Sequence, residues 1–321
     1  MARIREQSIN LFHILRDYGT LGTLFLLIII FGILKPNEFL SIKNTLNIIH
    51  QVAPLGIVSI GLTFLIIMKN YDLSIGYLAS LSGVVVTTLF AKGFPEMAGI
   101  LLTLLLCGVL VGLLNGCIVT FLGVPSLVVT IGTGFLLFGV TWIICGGKAV
   151  FYGIPKHFAV WGQGMVGIVP VSVIILAVIF IVSYIIIEKT SFGRYAYAIG
   201  NNETASNLSG VNVRFVKLIS FILCSVFSSM AGILLASEVM CGHTTGGDRY
   251  LLSGLTAVFL GTSIFRKGEG NIWGTLVGVF ILGIAYNGMT MLGTPYAMRE
   301  VITGVILIVA LAISRTQLRL N

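Results

Sequence analysis

Charged side chains are scarce in this sequence. Asp, Glu, Lys and Arg together make up 9% of its 321 residues, where an ordinary soluble domain carries about a quarter. So few charges cannot cover a water-facing surface of this size, which excludes an ordinary soluble enzyme or binding module. The marks of nucleotide and metal chemistry are missing as well. There is no GxxxxGK[ST] phosphate loop, since "CGGKAV" around Lys148 lacks both the first glycine and the final hydroxyl. There is no HExxH and no carboxylate cluster that suits a metal. The four histidines, His13, His50, His157 and His243, are scattered over termini and loops and read as interfacial side chains. The five cysteines, Cys107, Cys117, Cys145, Cys224 and Cys241, show no CxxC or Cys/His spacing, and most lie in apolar runs, as buried free thiols do. A membrane enzyme gathers several ionisable groups at one depth, and the apolar runs here are nearly free of them. Charge inside a bilayer is costly and marks proton and ion pathways. Its scarcity argues against an ion-coupled pump, so the energy for any driven transport must come from elsewhere.

Apolar residues, in contrast, make up 57% of the chain, with a mean hydropathy of +1.06. Lipid is therefore the solvent for most of the outside. A span needs about 20 apolar residues, and the pattern predicts an all-α polytopic membrane protein with about ten transmembrane helices, near 19–35, 51–68, 73–91, 98–121, 125–145, 169–187, 216–236, 251–265, 272–292 and 298–314. The segment 251–265 is short enough to be a broken or re-entrant helix. The amphipathic start, "MARIREQSINLFHILRDYG", does not read as a removable signal peptide. The expected organisation is a cytoplasmic segment at 1–18, a single transmembrane domain over 19–314 with a cytoplasmic loop at 188–215, and a cytoplasmic tail at 315–321. With the N-terminus inside, twelve of the nineteen Lys and Arg residues fall on inner loops and seven on outer ones. That bias favours cytoplasmic termini, and it accounts for the net charge of +8 without nucleic acid.

Glycine is abundant, at 39 residues. "GVLVGLLNG" spaces Gly108, Gly112 and Gly116 four apart, and "GTLVG" does the same with Gly274 and Gly278. Such stripes form smooth helix faces that let backbones approach closely. The long inner loop contains "NNETASNLSG", which reads as one short helix. Asn201 or Asn202 caps it, Glu203 sits in the first turn, and Gly210 closes it in a left-handed conformation. It is either a solvated linker or a docking helix for a cytoplasmic motor. The other conspicuous stretch is "KNYDLSIG", residues 69–76, which holds Lys69 and Asp72 between two apolar runs. Asp72 can cap the next helix by accepting from the amides of Ser74 or Ile75, or it can line a solute path at a broken helix.

Five ordered stretches resemble a known family: "YDLSIGYLASLSGVV", "VTIGTGFLLFGVTWIICGG", "TSFGRYAYAIGNNETASNLSGVNV", "GTSIFRKGEGNIWGTLVGVFILGIAYNGMTMLG" and "VITGVILIVALAIS". Over residues 36–314 the chain is similar to the membrane permeases of ribose-type, carbohydrate-uptake bacterial ABC importers. The resemblance implies a multi-pass protein of the bacterial inner membrane with no catalytic residues and no cofactor of its own. ATP and Mg would be bound by a partner sugar-importer ATPase. A periplasmic binding protein would deliver the solute, and a second permease copy or a paralogous permease would complete the pair. The loop after the sixth span would carry the coupling helix. Its matching positions are Gly193, Arg194, Gly200, Asn201, Asn202, Glu203, Thr204, Ala205, Leu208, Ser209 and Gly210. One departure stands out: relatives usually read Gly-Gly-Ile before Asp-Leu-Ser, and this chain reads Lys69-Asn70-Tyr71.

A faint internal echo links Tyr71-x-Leu73-Ser74 to Tyr250-x-Leu252-Ser253, each followed by a span bearing Asn-Gly, at Asn115 and Asn287. An inverted repeat gives such a pattern, and it would place Asp72, Ser74, Asn115 and Asn287 near a translocation path. An interhelical hydrogen bond is the alternative role for each asparagine. The sequence thus points to an ATP-driven importer permease for a small neutral polyhydroxylated solute, most simply a pentose or hexose. A stand-alone facilitative channel or carrier for a small polar solute is the alternative.

Overall fold

The computed structural model describes residues 20–264 and 268–319. Helices follow one another along the chain: α1 (Thr20–Leu34), α2 (Ile42–Ile66), α3 (Ile75–Ala91), α4 (Glu96–Phe121), α5 (Ser126–Cys145), α6 (Val171–Lys189), α7 (Ser191–Asn201), α8 (Glu203–Leu208), α9 (Val213–Val239), α10 (Arg249–Thr262), α11 (Ile272–Met291) and α12 (Tyr296–Arg319). A two-stranded hairpin, Met165–Val166 with Val169–Pro170, sits before α6. Among the described residues six helices are long and apolar enough to cross a membrane, namely α2, α4, α5, α6, α9 and α11, and α1 and α3 are shorter apolar helices.

Two boundaries differ from the hydropathy reading. Helix α2 begins at Ile42, nine residues before the apolar run expected at 51. The reason is local: Ser41 Oγ accepts from the amide of Asn44 at 3.2 Å, an N-terminal cap that hydropathy does not register. The long loop holds two helices where one was expected. Thr190 Oγ1 accepts from the Phe192 amide and starts α7 directly after α6.

The chain divides into two compact units, one of residues 53–254 and the other of the residues on either side. In the first, the predicted glycine stripe packs on α9. A Cβ on Gly108 would lie 3.0 Å from Val226 Cα, one on Gly112 2.6 Å from Ile222 Cα, and one on Gly116 2.7 Å from Leu218 Cδ1. Leu218, Ile222 and Val226 are themselves four apart, so the two helices meet stripe to stripe, with backbones in contact. Gly108 lies in a π-helical stretch of α4, Leu104–Val109. Phe90, Phe158, Val86, Ile233 and Ala236 form one apolar cluster, and Leu78, Leu81, Cys107 and Leu137 another. All five cysteines are free, with Cys107 and Cys224 buried and the other three half-buried.

In the second unit, Gly274 and Gly278 pack against the carbonyls of Gly261 and Ala257 on α10. Asn271 caps α11 through the Gly274 amide (2.6 Å) and donates to the carbonyl of Ile264 (2.8 Å). Helix α10 has 14 residues, about 21 Å at 1.5 Å per residue, which is short of the ~30 Å hydrocarbon thickness.

Candidate functional site

Asp72 is fully buried in the turn between α2 and α3. Its Oδ1 accepts from the backbone amide of Ser74 (2.8 Å) and from Ser74 Oγ (2.5 Å). Asn115 Nδ2 on α4 donates to Ser74 Oγ at 3.2 Å, and Thr133 Oγ1 on α5 donates to Asn115 Oδ1 at 2.6 Å. Asp72 therefore bonds the first of the two amides expected of it. Positionally, Ser74 is the residue that precedes α3, with Asp72 supporting it from two residues back.

The backbone of this turn is held from the side. Tyr71 N donates to Ser126 Oγ (3.1 Å) and Leu73 N to Thr130 Oγ1 (3.0 Å). Ser126, Thr130 and Thr133 lie at i, i+4 and i+7, one face of α5. A non-helical crossing exposes amides that no helix satisfies, and this hydroxyl stripe takes two of them. The sequence reading missed the stripe, and the spacing within "SLVVTIGT" was the available signal. Asp72, Ser74 and Asn115 are thus brought together. Asn287 lies on α11 in the other unit, buried, and its Oδ1 has no hydrogen-bond partner among the described residues.

The loop after α6 is built from caps and tight contacts. Asn202 Oδ1 accepts from the Ala205 amide (2.9 Å) and starts α8, with Glu203 in its first turn. Val211 N bonds to Ser206 O and Gly210 N to Asn207 O, with Gly210 at φ +84°, a Schellman closure of the expected kind. Glu203 Oε2 pairs with Lys217 Nζ at 2.6 Å. Gly193 and Gly200 are buried, and a side chain on them would run into the carbonyls of Ile187 and Ile67 respectively. Asn201, Asn202, Glu203, Thr204, Ala205, Leu208, Ser209 and Gly210 are exposed, as is Arg194.

A family described as the permease component of branched-chain amino acid transport systems matches residues 44–311. This chain belongs to that permease family. The ribose import permease RbsC of Bacillus subtilis (strain 168) is 32% identical over 311 residues, 97% of this chain and 96% of its own. RbsC of Escherichia coli (strain K12) is 32% identical over 302 residues, 93% and 94% of the two chains. The galactose/methyl galactoside import permease MglC of Salmonella typhimurium is 31% identical over 314 residues, 92% and 93%. No solved structure gives a significant match. The chain is a multi-pass membrane protein, homologous to bacterial inner-membrane permeases. It is the permease subunit of an ABC importer, a family without catalytic activity of its own and whose ATP is bound by a partner ATPase.

In this permease the turn that leads to Asp72 closes α2 with the same Schellman pattern that closes α8. Asn70 N bonds to Leu65 O and Lys69 N to Ile66 O. The left-handed residue is Lys69, at φ +56°, where Gly210 serves in α8. A non-glycine residue in that conformation costs about 1 kcal/mol. Lys69→Gly should therefore raise the thermal unfolding midpoint of the detergent-solubilised permease, by a stabilisation of about 1 kcal/mol. An unchanged or lower midpoint would show that the lysine side chain offsets its own strain.

Proposed function

We propose that this permease carries a small, neutral, polyhydroxylated solute, a sugar of pentose or hexose size, from a periplasmic binding protein into the cytoplasm. The observation that carries the reading is the end-to-end match to permeases named for ribose import, with support from those named for galactose and D-allose transport. The near absence of charge in the apolar helices agrees with an uncharged cargo moved by an external motor.

In this reading the helices α1–α6 and α9–α12 make ten crossings within one permease domain, with both termini and the loop 188–215 in the cytoplasm. Two permease copies, or this chain with a paralogue, engage a sugar-importer ATPase. The docking element is α8 with its flanks, from Gly193 to Gly210. Its apolar tip, Leu208, is 84% exposed, which suits a groove on a partner. Gly200 packs against the end of α2, two residues before Lys69. Motion of α7 and α8 would therefore bear directly on the turn that holds Asp72 and Ser74, to which Asn115 on α4 is bonded; these three are our candidates for polar groups near the path, with Asn287 a further one. An internal repeat is supported by shape. Helix α2, with 25 residues, and α9, with 27, each end near a left-handed non-glycine residue, Lys69 and Met240, and each leads through a polar segment to a shorter helix.

The permease, tagged and extracted in mild detergent, should co-purify with an ATPase subunit in fixed proportion, and the assembled complex should import at least one of D-ribose, D-allose and D-galactose. Isolation of a permease that never retains an ATPase, yet passes sugar in vesicles, would favour the stand-alone channel.

A further inference from the structure

The chain between α9 and α10, residues 240–248, folds back along α3. It starts at Met240 in a left-handed conformation, and Gly242 then forms an antiparallel bridge with Val150. There Gly242 packs on Thr87, Gly83 and Val84 of α3. Five residues on, a Cβ on Gly247 would meet Ala79 Cβ at 2.6 Å and the Gly76 carbonyl at 2.7 Å. A Cβ on Gly76 would lie 3.0 Å from the Asp248 carbonyl and 3.2 Å from Leu251 Cβ. The segment therefore runs antiparallel along α3 from Thr87 to Gly76, a descent of about 16 Å at 1.5 Å per residue. That is roughly half the hydrocarbon thickness, beside a helix whose residues are mostly buried and apolar.

The lower end is pinned by side chains. Gly247 N donates to Ser80 Oγ at 2.9 Å, and Ser80 Oγ donates to Asp248 Oδ1 at 2.8 Å. Beside them His243, Thr245 and Arg249 are exposed and Asp248 is half-buried. Thr245 contacts His243 Nδ1, and the Arg249 guanidinium lies 5.2 Å from the centre of the Tyr250 ring. With α3 as one of the crossings proposed above, irregular backbone and ionisable side chains beside it cannot face lipid, and they persist only against protein or a water-filled cavity.

We propose that residues 240–248 form the unwound first part of the crossing that α10 completes and line the aqueous path, and that Asp248 is a specificity-determining group accepting hydrogen bonds from the hydroxyls of the solute. Ser80 is its positioning residue: by engaging Oδ1 it turns Oδ2 toward the path. The chemistry assigned to the solute rests on the sugar reading above, whereas the depth and wetness of the segment do not.

The test uses the complex of permease, ATPase and binding protein in vesicles, with the five native cysteines replaced. Single cysteines are placed at Thr245, at Gly167 in the surface hairpin and at Phe135, an exposed apolar position within α5. The probe is the membrane-impermeant cation trimethylammonioethyl methanethiosulfonate. Thr245→Cys should react on the time scale of Gly167→Cys, and Phe135→Cys should not react. Thr245→Cys as inert as Phe135→Cys would overturn the aqueous segment. Asp248→Asn retains an acceptor for Ser80 but loses the charge, and should lower sugar uptake about tenfold or more with the ATPase still bound. Uptake at the unmodified rate would overturn the role of Asp248. Failure of the unmodified complex to import any of D-ribose, D-allose and D-galactose would instead overturn the sugar reading, and the labelling is read independently of it.

Discussion

Gly112→Leu should leave almost no folded permease in the membrane. Gly112 faces α9 so closely that a Cβ alone would lie 2.6 Å from Ile222 Cα and 2.9 Å from the Phe221 carbonyl oxygen. Both are backbone atoms, so no side-chain rotation relieves the clash. A leucine would force α4 and α9 apart along the whole stripe and strip the contacts of Gly108 and Gly116 as well. Overpacking of this kind costs ~3 kcal/mol or more, a large share of the stability of any domain. The check is the yield of monodisperse protein in detergent, with Gly132→Leu as the comparison. Gly132 on α5 has open space where its Cβ would go, so that variant should accumulate normally. Equal yields would show that α4 and α9 do not meet through this stripe.

Leu208→Asp should silence import while leaving the membrane helices intact. Leu208 closes α8 on its exposed side and makes no contribution to a core. Its removal therefore costs the fold little. Seated in an ATPase groove, a leucine contributes about 1.5–3 kcal/mol through burial, which is roughly ten- to a hundredfold in affinity. A carboxylate in the same place adds a desolvation penalty. The variant should be inserted at the normal level, should lose the ATPase on purification, and should import sugar at a small fraction of the unmodified rate. Import at the full rate would remove α8 from the docking surface.

What the sequence reveals here follows the range of the interactions involved. The start and stop of α8 are legible because capping is local: Asn202, Glu203 and Gly210 lie within nine residues and act on one another. The glycine stripe of α4 is legible as a face, but its partner is not, since spacing names no neighbour. The beginning of α2 at Ile42 escapes hydropathy because the cap at Ser41 precedes the apolar run. The hydroxyls of Ser126, Thr130 and Thr133 look like ordinary span residues, and Thr130 does bond back to its own helix at Ser126 O. Their second task, holding the amides of Tyr71 and Leu73, appears only when α5 lies beside the turn. Asp72 could be read as a cap from sequence, but its link through Ser74 to Asn115 and Thr133 joins three elements. The contact of Asp248 with Ser80 on α3 is likewise invisible to periodicity, because a loop that folds back along a helix has the same composition as one that does not.

The central claim is that this chain works as the membrane part of an ATP-driven importer. Its most direct test is solute uptake by vesicles holding the permease and its ATPase, with loaded binding protein outside and ATP or a non-hydrolysable analogue sealed inside. The account predicts uptake that accumulates solute with ATP and stops with the analogue. Uptake at the same rate with either nucleotide, or by the permease alone, would contradict it.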